Sequence, residues 1–134
     1  MRDLILNYVK MHVDVMDARR TNSTGLVITK NNGCYIHLNQ NRIVRMLHRL
    51  GLKRVTKPMM ELILLHELGH YIIFRDKNKL DYDDACFDES TIEYETELGA
   101  WQHARVLAKE LGVRVNEKLI KVCLDTYKPK GVTE

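Results

Sequence analysis

The middle of the chain reads LHELGH over residues 65–70, and within it His66, Glu67 and His70 form the pattern H-E-x-x-H. On an α-helix four residues make about one turn, so His66 and His70 face the same side and can hold one metal ion. Glu67 follows about 100° further round the helix, on the side nearer His70. The pattern therefore predicts a zinc site in which Glu67 accepts the proton of a metal-bound water.

The sequence around this motif predicts a long, buried helix. Thr56 can cap its start, and Pro58 lies just inside the first turn, where a missing N–H does no harm. Residues 59–74 are apolar on nearly every side, which is typical of a helix in the middle of a domain. The alternative to a metal site is a pair of core histidines bonded to backbone carbonyls, with Glu67 paired to a surface arginine.

A third metal ligand is predicted on a second helix, over residues 90–111, which opens with a capping box that uses Glu93 and closes at Gly112. Glu97 lies at the centre of the apolar stripe of this helix, whereas Glu95 points about 160° away. A carboxylate facing the core is costly without a charge partner. A metal held by two histidines would supply one, so we favour Glu97 as the third ligand. Glu93 is the alternative, because it shares the same face.

Length and composition bound the class of protein. The chain has 134 residues, with 45% hydrophobic and 29% charged and a net charge of +3, which predicts a single compact domain over residues 1–134. No apolar run reaches membrane-spanning length, and the N-terminus shows no signal-peptide pattern. Cys34, Cys86 and Cys123 are odd in number and lack a C-x-x-C spacing. We therefore expect a cytoplasmic protein without a disulfide framework.

The N-terminal part predicts one helix and a small sheet. Residues 4–16 place apolar side chains at helical spacing. Residues 26–29 and 34–38 are β-type runs, joined by an Asn-Gly turn within residues 30–33 that predicts a hairpin. Such a hairpin could offer an edge strand to an extended peptide substrate. His37, on the second run, is a weaker candidate for a metal ligand.

The remaining segments predict further helices. Residues 40–57 indicate a helix with Gly51 as its C′ residue, and a last helix follows an Asn116 cap. The segment 40–57 carries a basic cluster: Arg42, Arg45, His48, Arg49, Lys53, Arg54 and Lys57. A charge run of this kind is usually a solvated face. Together the elements predict an α+β fold, a small antiparallel sheet or hairpin packed with about five helices.

The motif at residues 66–70, followed by ELGAWQHA at residues 97–104, resembles the ImmA/IrrE family of zincin-like metallopeptidases. In that family the H-E-L-G-H helix is followed by a Glu, then by Ala and usually Asn, and then by Phe-Ala. The resemblance covers roughly residues 25–111. Trp101 stands where Asn is usual and His103 where Phe is usual, and both departures leave the predicted metal ligands in place.

The resemblance implies that His66, His70 and Glu97 bind Zn²⁺ and that Glu67 is the general base of an endopeptidase. It also implies that the substrate is a transcriptional repressor, often of helix-turn-helix type, in a bacterium or a phage-infected cell. The oxyanion of the reaction needs a hydrogen-bond donor. Tyr94 is the first candidate, because it lies on the metal-facing stripe.

Tyr71 and His103 are the other candidates for the oxyanion donor, and the sequence does not choose among the three. Two other functions remain open. In one, the zinc site is closed by a fourth protein ligand such as His37 or a cysteine, and the protein is a non-catalytic binding module. In the other, the basic segment 42–57 binds nucleic acid and the H-E-x-x-H pattern is accidental. We expect a peptide substrate ahead of a direct nucleic-acid contact.

Overall fold

The computed structural model describes residues 4–17, 25–28, 34–77 and 94–126 of the chain. Within these ranges it contains five helices and three strands. In chain order they are α1 (Leu4–Lys10), β1 (Asp14–Asp17), β2 (Gly25–Ile28), β3 (Cys34–Leu38), α2 (Gln40–Arg49), α3 (Lys57–Lys77), α4 (Tyr94–Leu111) and α5 (Glu117–Asp125). None of the described helices has both the length and the apolar composition needed to cross a membrane.

The three strands form one sheet in the order β1-β3-β2. β2 and β3 run antiparallel, with Leu26 opposite Ile36, whereas β1 and β3 run parallel, with Val15 opposite the same Ile36. The sheet is therefore mixed and not purely antiparallel: the predicted antiparallel pairing is present between β2 and β3, whereas the parallel pairing of β1 was not predicted. The coarser expectation, an α+β fold with about five helices, agrees with the described elements. The predicted turn at residues 30–33 lies outside them.

The first helix is shorter than predicted. α1 ends at Lys10, and Val13 closes the following turn by donating a backbone hydrogen bond to the carbonyl oxygen of Val9 at 3.0 Å. Residues 14–17 then pair with β3, because a strand ladder with a partner distant in sequence outweighs a weak local helix preference. The predicted helix to Met16 is therefore wrong beyond Lys10.

α2 begins after Asn39, whose Oδ1 accepts a hydrogen bond from the backbone N–H of Arg42 at 3.0 Å. It ends at Arg49, and Gly51 follows with a φ of +92°, a left-handed conformation that favours glycine. The predicted role of Gly51 is confirmed. The helix does not continue to residue 57, because the left-handed turn at Gly51 stops it.

The C-terminal end of α4 and the start of α5 agree with the sequence. Gly112 follows α4 with a φ of +75°. The Oδ1 of Asn116 accepts a hydrogen bond from the backbone N–H of Leu119 at 3.0 Å and so caps α5. The predicted capping box at residues 90–93 lies outside the described residues, and α4 is described from Tyr94 onward.

α3 is the central element of the fold and contacts α1, α4, β2 and β3. It begins at Lys57, directly after the predicted cap Thr56. Every residue from Leu62 to His70 is buried, as expected for a helix that is apolar on nearly every side. The histidines of the motif therefore lie within the interior and not on the surface.

α3 and α4 approach each other closely at Gly69. A Cβ atom built on Gly69 would lie 2.6 Å from the carbonyl oxygen of Ala100 and 3.1 Å from the Cβ of His103. No side chain fits in that space without moving one of the helices. Glu97 lies three residues before Ala100 on α4, so the contact at Gly69 also sets the position of Glu97 relative to the histidines.

Gly69→Ala should lower the free energy of unfolding by about 1–3 kcal/mol through overpacking, although alanine is favoured over glycine within a helix by about 1 kcal/mol. Gly99→Ala is the matched control, because its new Cβ meets only the Cδ1 of Ile73, at 3.3 Å. Urea unfolding of both variants measures the difference. If Gly69→Ala is as stable as Gly99→Ala, α3 and α4 do not pack as closely at Gly69 as described.

Candidate metal centre

Three buried side chains meet where α3 and α4 cross. The Nε2 atom of His66 lies 2.5 Å from Oε1 of Glu97, and the Nε2 atom of His70 lies 2.8 Å from Oε2 of the same carboxylate. The two Nε2 atoms are 3.1 Å apart. One carboxylate therefore spans both imidazoles, and all three residues are at most 6% exposed.

The helical stripes explain why these residues meet. His66 and His70 are one turn apart on α3, and Glu97 lies among the core-facing residues of α4, as the sequence predicted. Glu95 is exposed, also as predicted. The alternative third ligand, Glu93, lies outside the described residues. The catalytic and ligand roles of these residues stay predictions.

The carboxylates and imidazoles shift each other's pKa values. Burial by itself lowers the pKa of His66, but hydrogen bonds to Glu67 and Glu97 and their negative charges raise it from 6.5 to about 9. Burial by itself raises the pKa of Glu97, but hydrogen bonds from His66 and His70 lower it from 4.5 to about 2. Without a metal, this cluster therefore holds a proton on His66 and a negative charge on Glu97 near neutral pH.

Glu67 contacts the cluster from the neighbouring position on α3. Its Oε1 lies 3.1 Å from Nδ1 of His66, on the side of the ring away from Glu97. Its other oxygen, Oε2, is buried and has no hydrogen-bond partner. A buried polar atom without a partner marks a place where a water or a ligand is expected. Oε2 is therefore the atom of Glu67 that is left to bind such a water or ligand.

Trp101 fixes the ring of His66 from α4. The two rings are stacked, with centroids 4.1 Å apart and planes 18° apart. Trp101 is only 1% exposed, and its Nε1 has no hydrogen-bond partner. The stack limits rotation of the imidazole and so holds Nε2 towards Glu97.

The donor set fits a metal ion. His66, His70 and Glu97 are the described residues whose ligand atoms come together, all within 4.8 Å of one another. Ligand atoms at about 2.0–2.1 Å in a tetrahedral zinc site are about 3.3 Å apart, close to the observed separation of 3.1 Å between the two Nε2 atoms. These buried residues could therefore bind a metal ion.

The candidates for the oxyanion donor and the alternative ligand His37 are placed less clearly relative to the cluster of His66, His70 and Glu97. Tyr94, Tyr71 and His103 are each half-buried, and the described contacts of the cluster include none of their side chains, so the oxyanion donor stays open. The guanidinium of Arg75 lies 5.8 Å from the centre of the Tyr71 ring. His37 lies on β3, and its side chain is outside the described part of the structure.

Cys123, the cysteine whose side chain the structure describes, does not complete the cluster. Burial raises the pKa of the Cys123 thiol to about 12, with a smaller contribution from the charge of Glu97. A thiol held protonated is a poor metal ligand, and Cys123 is not part of the group of converging ligand atoms. Cys86 and the side chain of Cys34 lie outside the described residues.

Sequence reasoning missed two residues that position the site. The role of Gly69 could have been predicted, because a glycine within an apolar helix often marks a close packing contact. Trp101 lies four residues after Glu97, so helical spacing places both on the same face of α4, but the stacking of Trp101 on His66 depends on the crossing of α3 and α4. The contact partners of both residues lie on the other helix.

No family model, no curated protein and no solved structure matches the chain. The function is therefore inferred from the chemistry and geometry of the residues themselves.

The metal-free protein should be most stable between about pH 4.5 and about pH 6.5. The raised pKa of His66 gives stability that is complete below pH 6.5 and is lost as the pH rises through about 9. The lowered pKa of Glu97 gives stability that is complete above pH 4.5 and is lost as the pH falls through about 2. Thermal unfolding with a chelator present measures the profile.

In Glu97→Gln the loss of stability towards pH 9 should be smaller, because one of the two carboxylates that raise the pKa of His66 is gone. A metal-free wild type that becomes more stable from pH 6.5 to pH 9 would contradict the assigned proton on His66.

Trp101→Leu should weaken zinc binding by about tenfold, the lower end of the range for residues that orient a metal ligand. Trp101→Phe should bind within about threefold of the wild type, because an aromatic ring can still stack on His66. Competition with a chromophoric chelator measures both affinities. Equal losses in the two variants would show that the stack does not orient the ligand.

Proposed function

We propose that this protein is a zinc-dependent endopeptidase of the ImmA/IrrE type that its motifs resemble. The observation that carries the proposal is the placement of the Glu97 carboxylate against the Nε2 atoms of both His66 and His70. Glu67 adjoins the same cluster with a free buried oxygen. Two imidazoles, one carboxylate and a neighbouring general base are the components of a catalytic zinc site.

The choice of zinc follows from the donors. Two imidazole nitrogens and one carboxylate oxygen suit a borderline cation such as Zn²⁺ better than Mg²⁺ or Ca²⁺, which prefer oxygen ligands. Zn²⁺ bound by His66, His70 and Glu97 would supply a water of lowered pKa and would polarise the scissile carbonyl.

The protein residues then handle orientation and proton transfer. An N–H at Nδ1 of His66 donates to Oε1 of Glu67, which fixes the tautomer that leaves Nε2 free as a ligand. The partnerless Oε2 of Glu67 accepts the proton of the attacking water and returns it to the leaving amine. Each carboxylate oxygen of Glu67 therefore has a separate task.

The proposed substrate is a peptide segment bound in an extended conformation. β1 and β2 are the outer strands of the described sheet, and an outer strand offers unpaired backbone groups to an added strand. The resemblance suggests that this segment belongs to a helix-turn-helix repressor of a phage or a mobile element. A bacterial or phage-infected cytoplasm is the matching location.

A structural zinc site is the second candidate function, and the described residues favour it less. A closed site needs a fourth protein ligand, whereas the converging group among the described residues has three members. The raised pKa of Cys123 disfavours that thiol as the fourth ligand.

Glu67→Gln should keep about one zinc per chain and lose about 10²–10⁴-fold in peptide cleavage, the usual contribution of a general base. His66→Ala and Glu97→Ala should lose most of their zinc, because each removes one of three ligands. Metal analysis and turnover of a fluorogenic peptide library measure the two effects. Glu110→Gln, an exposed change on α4, is the control.

Full activity in Glu67→Gln would rule out the base assignment. If Glu97→Ala keeps its zinc, Glu93 and not Glu97 would be assigned as the third ligand. A wild type that binds no zinc would end the enzyme proposal.

A further inference from the structure

The segment between the sheet and α3 is the most strongly charged part of the described surface. Residues 40–57 contain six of the 21 Lys and Arg residues and no Asp or Glu. The net charge of +3 therefore arises from +6 in this segment and −3 in the rest of the chain. Such an asymmetry indicates a surface for a polyanion.

We call this surface the basic face. It is formed by the side chains of Arg42, Arg45, Arg49, Lys53 and Arg54. All are exposed except Arg42, which is half-buried. The three arginines on α2 lie within about 60° of one another around the helix axis. The opposite side of α2 carries Ile43 and Leu47, which are buried in the core.

The side chains of the basic face have no acidic partner among the residues that the structure describes. Within the described ranges, none of its five side chains forms an ion pair or a hydrogen bond with another residue. Elsewhere on the surface, Arg105 pairs with Glu117 and Lys121 pairs with Asp125. Against the described part of the chain, the guanidinium and ammonium groups of the basic face therefore keep their hydrogen-bond donors for another partner.

The surroundings of these charges indicate the kind of partner. The large exposed apolar residues of the described surface are Leu4, Met11 and Val106, and none of them lies within residues 40–57. Protein interfaces have an apolar core, and helices that lie on membranes insert apolar side chains. Here the apolar side of α2 is already occupied by the protein's own core. A phosphate backbone needs only charge and hydrogen-bond donors.

We propose that the basic face binds the phosphate backbone of duplex DNA without reading its sequence. Arg42 and Arg49 are separated by about 10 Å along the helix axis, a length equal to about three base-pair steps of a duplex at about 3.4 Å of axial rise each. The planar guanidinium groups suit phosphate oxygens. The contact does not depend on the metal ligands, which lie on α3 and α4.

Fluorescence anisotropy of a labelled duplex of about 20 base pairs tests the proposal across about 50–200 mM salt. The test variant is Arg45→Gln/Arg49→Gln/Arg54→Gln. The matched control is Lys109→Gln/Arg114→Gln/Lys118→Gln, which removes the same charge from other exposed positions. Glutamine is almost as good a helix former as arginine, so both variants should fold, and circular dichroism checks this.

The wild type should bind with a Kd of about 10⁻⁶–10⁻⁴ M at physiological salt. The test variant should bind at least about tenfold more weakly, and its slope of log K against log salt should be shallower by about 2 to 3. The control variant should bind within about threefold of the wild type. The wild type should also bind the duplex when a chelator is present, and so should His66→Ala. A failure of the DNA-binding proposal is therefore distinguishable from a failure of the peptidase proposal.

Absence of binding at about 50 mM salt would overturn the proposal. Equal losses in the two triple variants would also overturn it, because net charge alone would then explain the affinity. Tighter binding to polyglutamate or to vesicles with anionic lipid than to the duplex would assign the basic face to another class of partner.

Discussion

The bridge from Glu97 to two histidines is the contact on which the packing of the two longest helices depends. An ionised carboxylate in a protein interior costs several kcal/mol unless charged or hydrogen-bonded partners offset the loss of water. Here the partners are on another helix, and the distances of 2.5 Å and 2.8 Å require close contact between α3 and α4. Gly69 allows that contact, because it has no Cβ to meet the carbonyl oxygen of Ala100. The hydrogen bonds of Glu97 to the two histidines and the close packing of α3 against α4 therefore stabilise each other.

The side-chain atoms of His66, His70 and Glu97 would have different partners in the metal-free protein and in a metal-bound form. In the metal-free protein, the imidazoles donate protons to the carboxylate and hold it in the interior. A metal ion would take the place of those protons, because His66, His70 and Glu97 must offer unprotonated atoms to a cation. The surrounding apolar core does not depend on this exchange, since α3 is buried from Leu62 to His70 by packing with several elements. His66, His70 and Glu97 are thus brought together by the fold without a metal.

Local patterns predicted the parts of the structure that depend on local chemistry. α3, α5 and the buried stripe of α4 follow from apolar spacing and capping residues, and so does the placement of Glu97 beside the histidines. β1 was not predictable in this way, because residues 14–17 form a strand only through pairing with β3, about twenty residues further along the chain. The stacking of Trp101 on His66 likewise depends on a contact between helices. Peptidase activity and family membership rest on the motif and stay proposals.

The two proposals for this protein are connected through α3. The loop that carries Lys53 and Arg54 leads directly into this helix, which begins at Lys57. His66 lies nine residues later, about 14 Å along the helix axis. Because a buried helix is stiff over that length, the start of α3 would stay at a fixed distance of this order from the candidate metal site while a duplex is bound to the basic face. That geometry suits a peptide substrate that is itself part of a DNA-bound protein, since backbone binding and cleavage could then occur on the same complex.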